Sequence, residues 1–205
     1  MRKSSKLLFT GMAAALLMAF AVGTASASHL RISSSLAVIR WAPLRFIAGS
    51  NTISCNVTLE GSFHSATISK VNEALIGHIS RGSVNSCTGG SATILNETLP
   101  WHVRYAGFTG TLPNITGVNL RLISASFRVQ PSGSVVCLAR STNENPARGI
   151  ATENAATHVV TGLTAESNAG IPLNGFLCEF AGEGHFEGTG AVENGARASV
   201  TVTLI

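Results

Sequence analysis

The chain has 205 residues and no aspartate, so each of its ten acidic side chains is a glutamate. That absence excludes EF-hand loops, Asp-based catalytic triads and most Asp-rich calcium loops together. Lysine is nearly missing as well: Lys3 and Lys6 stand at the very start, and Lys70 is the only other. The formal charge of the whole chain is +4, but Arg2, Lys3 and Lys6 supply most of it, and residues 28–205 are almost balanced. No basic run or aromatic-interleaved basic stripe is left, so the electrostatic footprint of a nucleic-acid binder is lacking. One tyrosine and two tryptophans, Trp41 and Trp101, cannot make aromatic girdles at two interfaces, which argues against a membrane-spanning β-barrel. Only 12% of residues are charged and 45% are apolar, the reverse of a disordered composition.

The chain opens with the three parts of an export signal. Residues 1–27 have a positive start, an apolar run over 7–22 and the small residues Ala25, Ser26 and Ala27, which predicts cleavage before Ser28. The apolar run contains Gly11 and many alanines, short and weak for an uncleaved anchor. No cysteine stands near the leader's end to carry a lipid. Residues 28–205 are therefore expected to form a single secreted, extracellular β domain with no transmembrane segment. Export makes Cys55, Cys87, Cys137 and Cys178 legible as two disulfides. Three pairings are open. The sequential one closes loops of about thirty and forty residues and would contribute roughly 3–4 kcal/mol per bridge. No C-x-x-C pair is present to suggest a zinc knuckle.

Strand periodicity runs through most of the chain. Over residues 52–64, Ile53, Cys55, Val57, Leu59 and Phe63 alternate with Ser54, Asn56, Thr58, Glu60, Ser62 and His64, the pattern of a long half-buried strand. Trp101, Val103 and Tyr105 form a second apolar face, and Val118, Leu120 and Leu122 a third. After Leu122 the apolar parity switches to Ile123, Ala125, Phe127 and Val129, which predicts a β-bulge near Leu122-Ile123. At the carboxy-terminal end, a three-residue loop Glu193-Asn194-Gly195 would pair Val192 with Ala196 and Phe186 with Val202, with Gly195 at the left-handed position. Turn chemistry marks residues 88–91 and 130–133, and polar loops are expected over 141–149 and 166–175. Only residues 69–75 suggest a short turn of helix. The expectation is an all-β fold, an antiparallel β-sandwich of about ten to twelve strands, with a closed β-barrel as the alternative. Cys55 with Glu60-Gly61 and Phe63 shares its offsets with Cys178, Glu183-Gly184 and Phe186, the pattern of a duplicated strand unit or of ordinary inward parity.

Few residues point to chemistry. Glu183, His185 and Glu187 share one polar strand face, roughly 7 Å apart along it. Glu60 and His64 hold the matching positions of the other Cys-led strand. Were those strands neighbours, two histidines and three carboxylates would converge as metal ligands; the plainer reading is a solvated face. Ser62 between Glu60 and His64 has the residue types of a triad but lies in a row along the strand, where hydrogen-bond contacts are out of reach. His78, His102 and His158 read as structural. No catalytic residue and no cofactor are assigned. Asn56, Asn96 and Asn114 stand in glycan acceptor triplets, expected to be bare behind a bacterial-type leader.

The segments Thr98-Leu99-Pro100-Trp101-His102-Val103-Arg104-Tyr105 and Gly107-Phe108-Thr109-Gly110-Thr111-Leu112-Pro113-Asn114-Ile115-Thr116, with the Thr-Val-Thr-Leu-Ile ending, resemble a group of uncharacterised secreted proteins of high-GC soil actinobacteria. The resemblance implies an exported, cysteine-bearing β domain and transfers no functional residue. The arginine-over-lysine bias agrees with a high-GC genome. The composite reading is a non-enzymatic binding or surface-associated module with an extracellular or cell-surface partner, touched through loops 141–149 and 166–175. The alternative is a secreted metal-dependent or hydrolytic enzyme using the Glu/His face.

Overall fold

The computed structural model describes residues 29–133, 135–166, 170–174, 178 and 182–205, the side chains of Gly182 and Glu183 excepted. The expected export signal, 1–27, and its cleavage site lie outside the described residues. Among them the one helical element is a single 3-10 turn, Asn96–Thr98. Everything else that is regular is strand, and every ladder is antiparallel. No helix among the described residues is long and apolar enough to cross a membrane.

One layer consists of four long strands, in spatial order β14 (Gly182–Glu193), β2 (Leu36–Ala48), β3 (Asn51–Phe63) and β5 (Leu75–Thr88). Two groups of shorter strands complete the sheet. The first is β7 (Trp101–Thr111), β8 (Asn114–Ile123), β11 (Ala147–Glu153) and β12 (Val160–Ala165). It joins the long layer at both edges, through β5–β7 and through β12–β14, where Leu163, Thr164 and Ala165 pair with Gly190, Thr189 and Gly188. The second group is β13 (Ile171–Asn174), β10 (Cys137–Arg140), β9 (Ser126–Pro131) and β6 (Gly90–Ile94), attached through β13 to the start of β14. A separate three-stranded sheet, β15 (Val202–Leu204), β1 (His29–Ile32) and β4 (Thr67–Ser69), buries Leu30, Ile32, Ile68 and Val202 against Tyr105, Ile115 and Val118. The fold is thus the expected all-β, sandwich-like antiparallel one.

The alternation read from residues 52–64 is what buries β3: Ile53, Cys55, Val57 and Leu59 are each at most 4% exposed. Gly61 takes the next inward position because β5 passes close by; a Cβ there would lie 2.3 Å from the His78 carbonyl oxygen. The bridges are Cys55–Cys87 and Cys137–Cys178, the sequential pairing. The first ties β3 to β5, and the second ties β10 to the segment before β14.

Several local expectations are corrected. The parity switch after Leu122 is a strand break and not a bulge. Ser124 takes a left-handed backbone (φ 69), its N–H donates to the Ser141 carbonyl, and the chain leaves β8 for β9, which pairs with β10 and β6. The carboxy-terminal hairpin also differs. Phe186 pairs with Phe46 and Val192 with Ile39 on β2, while Val202 pairs with Ile32 on β1. The Asn194 side-chain oxygen accepts from the N–H groups of Ala196 and Ala198. That widens the turn, and Arg197 instead of Gly195 adopts the left-handed φ of 62°. Residues 69–75 form no helix: Glu73 (φ 65) turns the chain, and exchange of hydrogen bonds with Tyr105 pins it to β7. The expected loops are shorter, since β11 starts at Ala147 and β13 occupies 171–174. Cys55 lies within β3 whereas Cys178 precedes β14, so the shared offsets do not mark a duplicated strand unit.

Candidate functional site

The five residues singled out as possible ligands are kept apart by strand order, because β2 runs between β14 and β3. Glu187 stands opposite Arg45 of β2 and faces its guanidinium at 3.7 Å. Glu60 pairs instead with Arg81 of β5 at 3.3 Å. His185 lies opposite Ile47 and borders a void of only about 20 Å³. The backbone of Glu183 pairs with Pro172; its side chain lies outside the described residues. No group of three His, Cys or Glu side chains among the described residues could hold a metal ion.

His64 meets a partner that the linear pattern hides. His78 Nδ1 lies 3.4 Å from His64 Nε2, and His78 Nε2 lies 3.4 Å from Ser62 Oγ. The β3–β5 register, Ser62 opposite His78, makes this row. It has the residue types of a proton relay. Both contacts are at the long limit for hydrogen bonds, and the nearby Glu60 is engaged by Arg81.

The interior offers a more developed feature. Between the long layer and the β7–β8–β11–β12 group lies a chamber of about 120 Å³ whose walls are almost wholly apolar. Trp41, Leu44 and Leu59 face it from the long strands, Leu122 and Leu163 from across, and Phe127 and Phe186 at one end. A second apolar void of about 70 Å³ adjoins it under the three-stranded sheet. The two share Ala37, Ile39, Phe63, Leu120 and Leu163 in their walls. The void arises from small residues at inward positions: Ala37 on β2, Ala147 on β11 and Ala165 on β12 all line it. Strand parity would normally place Val, Ile or Leu there. Inward alanine and glycine in 147–151 is therefore the sequence signal that could have revealed the chamber, and it was obscured by reading 141–149 as a loop.

Protein interiors are close-packed, with few voids larger than a water molecule. At about 24 cal/mol per Å³, an empty space of the larger chamber's size costs about 3 kcal/mol, a large share of a domain's usual 5–15 kcal/mol. A dry cavity of similar volume is enough to take a benzene-sized molecule.

Polar groups around the chamber are few; Ser62 and His78 border it, with their side chains engaged in the Ser62–His78–His64 row. Arg121 and Arg148 border it, but they alternate with the inward Leu120, Leu122, Ala147 and Gly149. Arg121 is ion-paired with Glu73, which also faces Arg104 at 3.8 Å, and Arg148 is exposed. The exception is Trp41. It is 5% exposed, and its indole nitrogen is buried with no hydrogen-bond acceptor among the described residues. Trp101, by contrast, donates its indole N–H to Thr98 Oγ1 at 2.8 Å.

A buried acid sits on β11 beyond the chamber. Glu153 accepts from His158 Nδ1 at 3.2 Å, while its second oxygen is buried without a partner among the described residues. Burial raises its carboxyl above the ordinary value, and the hydrogen bond and charge of His158 pull the other way.

Comparison with family models, with curated proteins and with solved structures finds no match.

Proposed function

We propose that the protein is a secreted, disulfide-stabilised binding module that carries a small apolar molecule in the chamber between its layers. The observation that carries this reading is the void itself: about 120 Å³, walled by hydrocarbon, and bordered by Ala37, Ala147 and Ala165 where larger side chains would fill it. Two bridges fit an oxidising, extracellular setting, as does the resemblance to secreted β-rich proteins of soil actinobacteria. The hydrolytic or metal-dependent alternative has less support. Its Glu/His ligands are divided by β2, and the Ser62–His78–His64 row has long contacts.

The test is titration of the oxidised protein with methylcyclohexane, followed by thermal unfolding and NMR. The expected result is saturable binding, with stabilisation rising toward about 2.7 kcal/mol at one hundred times Kd. Ala147→Leu, which puts a larger side chain into the chamber, should weaken binding at least tenfold. No saturable binding to the parent, or equal binding to the filled variant, would overturn the proposal.

A further inference from the structure

We propose that the histidine row where the end of β3 meets the start of β5 binds a divalent transition cation, zinc, through His64 Nε2 and His78 Nδ1, with water completing the coordination. These two nitrogens lie 3.4 Å apart, which is long for a hydrogen bond between them. It is the separation that a tetrahedral zinc ion imposes, since two bonds of about 2.0–2.1 Å at the tetrahedral angle set their nitrogens about 3.3–3.4 Å apart. The ring centroids stand 5.6 Å apart at a tilt of 41°, and a turn of the exposed His64 ring brings both lone pairs onto one point. Imidazole is a ligand that suits zinc and its neighbours among the transition metals.

The third member of the row suits this role. Zinc on His78 Nδ1 requires the ring proton on Nε2, and Ser62 Oγ stands 3.4 Å from that nitrogen to accept it. Metal-binding histidines are oriented in this way, by a partner on the ring nitrogen that does not hold the ion. Backbone pairing fixes the frame: Ser62 stands opposite His78, and the His64 N–H donates to the Ile76 carbonyl. Neighbouring cations are answered, Arg81 by Glu60 at 3.3 Å and Arg104 by Glu73 at 3.8 Å. His102 stands opposite His78 on β7, but no third His, Cys or Glu among the described residues joins the pair in a ligating group. The ion therefore keeps positions open to water. Zinc binding here is independent of whether the chamber is filled, and it uses none of Glu183, His185 and Glu187.

The experiment titrates the untagged, oxidised protein with zinc chloride by calorimetry at neutral pH. The parent is expected to bind one ion saturably. His64→Gln and His78→Gln should each abolish that binding, and His102→Gln should leave it unchanged. Ser62→Ala, which removes the acceptor for His78 Nε2–H, should weaken it about tenfold. A second readout needs no variant and decides the matter should a variant fail to fold. In long-range ¹H–¹⁵N spectra of the imidazoles, zinc should shift His64 Nε2 and His78 Nδ1 and leave His78 Nε2 protonated. No saturable binding to the parent, binding that survives loss of either histidine, or ligation through the other ring nitrogens would overturn the proposal. A loss with His102→Gln as large as with His78→Gln would overturn the assignment to this pair, and an unchanged affinity in Ser62→Ala would overturn the part given to the hydroxyl.

Discussion

At one end of the long-strand layer Phe127 meets Phe46, Trp101 and Phe186, with ring centroids 5.2, 5.3 and 5.3 Å apart. Further along the same strands, Trp41 and Leu59 look onto empty space. The same β2, β3 and β14 supply both regions, so strand propensity cannot explain the difference. What differs is the opposing group. Beside the aromatic cluster β9 and β10 present Phe127, Val129, Cys137 and Ala139, all buried, and the Cys137–Cys178 bridge closes that end. Opposite Trp41, β11 and β12 present Ala147, Gly149 and Ala165. The two tryptophans repeat the contrast: Trp101 has its acceptor in Thr98, and Trp41 has none among the described residues. Density at one end and a void at the other thus arise within one pair of layers from what the opposing strands present.

The contrast can be broken most forcefully at Phe127. Phe127→Ala removes a ring touching three others and extends the chamber into the dense end, and is expected to cost about 3–5 kcal/mol in chemical denaturation. A finer probe adds the same side chain to each region. Ala125, fully buried in the dense core, has no room for leucine, so Ala125→Leu should destabilise by about 1–3 kcal/mol. Ala147→Leu should be neutral or stabilise by up to about 1–2 kcal/mol. Equal losses at both positions would mean that the chamber walls are as tight as the aromatic cluster.

The smallest expected effect is at Glu153, at the far end of the hollow region. Its carboxyl is raised above 4.5 by burial, so the folded state binds this proton more tightly than the unfolded chain does. The stability it contributes is present below about pH 4.5 and is lost as the pH rises through the folded value. Glu153→Gln, neutral throughout, should therefore be more stable than the parent at pH 7, because it carries no charge into the buried site. The two proteins should converge at pH 4. Denaturation midpoints at both pH values decide it, and an advantage that persists at pH 4 would tie the effect to packing and not to charge.

Much of the fold was legible. Alternation in 52–64 marked β3 with its buried face, because a strand with one face in the core must alternate. The bulge expected near Leu122 failed because a parity switch has two physical causes, an extra residue in one ladder or a change of partner strands. Local sequence does not separate them; here Ser124 ends one strand and β9 pairs elsewhere. The carboxy-terminal hairpin failed for a related reason. Apolar faces at 186–192 and 200–204 suit each other, but they suit β2 and β1 as well, and the long-range partners won. His78 read as structural because its contact with His64 and Ser62 depends on the β3–β5 register.

By itself the sequence determined the all-β class, the inward faces of the long strands and the supply of four cysteines for bridging, since each follows from local periodicity or composition. Only the tertiary structure decided which cysteines joined, that β2 would separate Glu60 from Glu187, and that small residues on β2, β11 and β12 would face one another across a gap. A void is a property of opposing surfaces, and no single strand encodes the surface that it will meet.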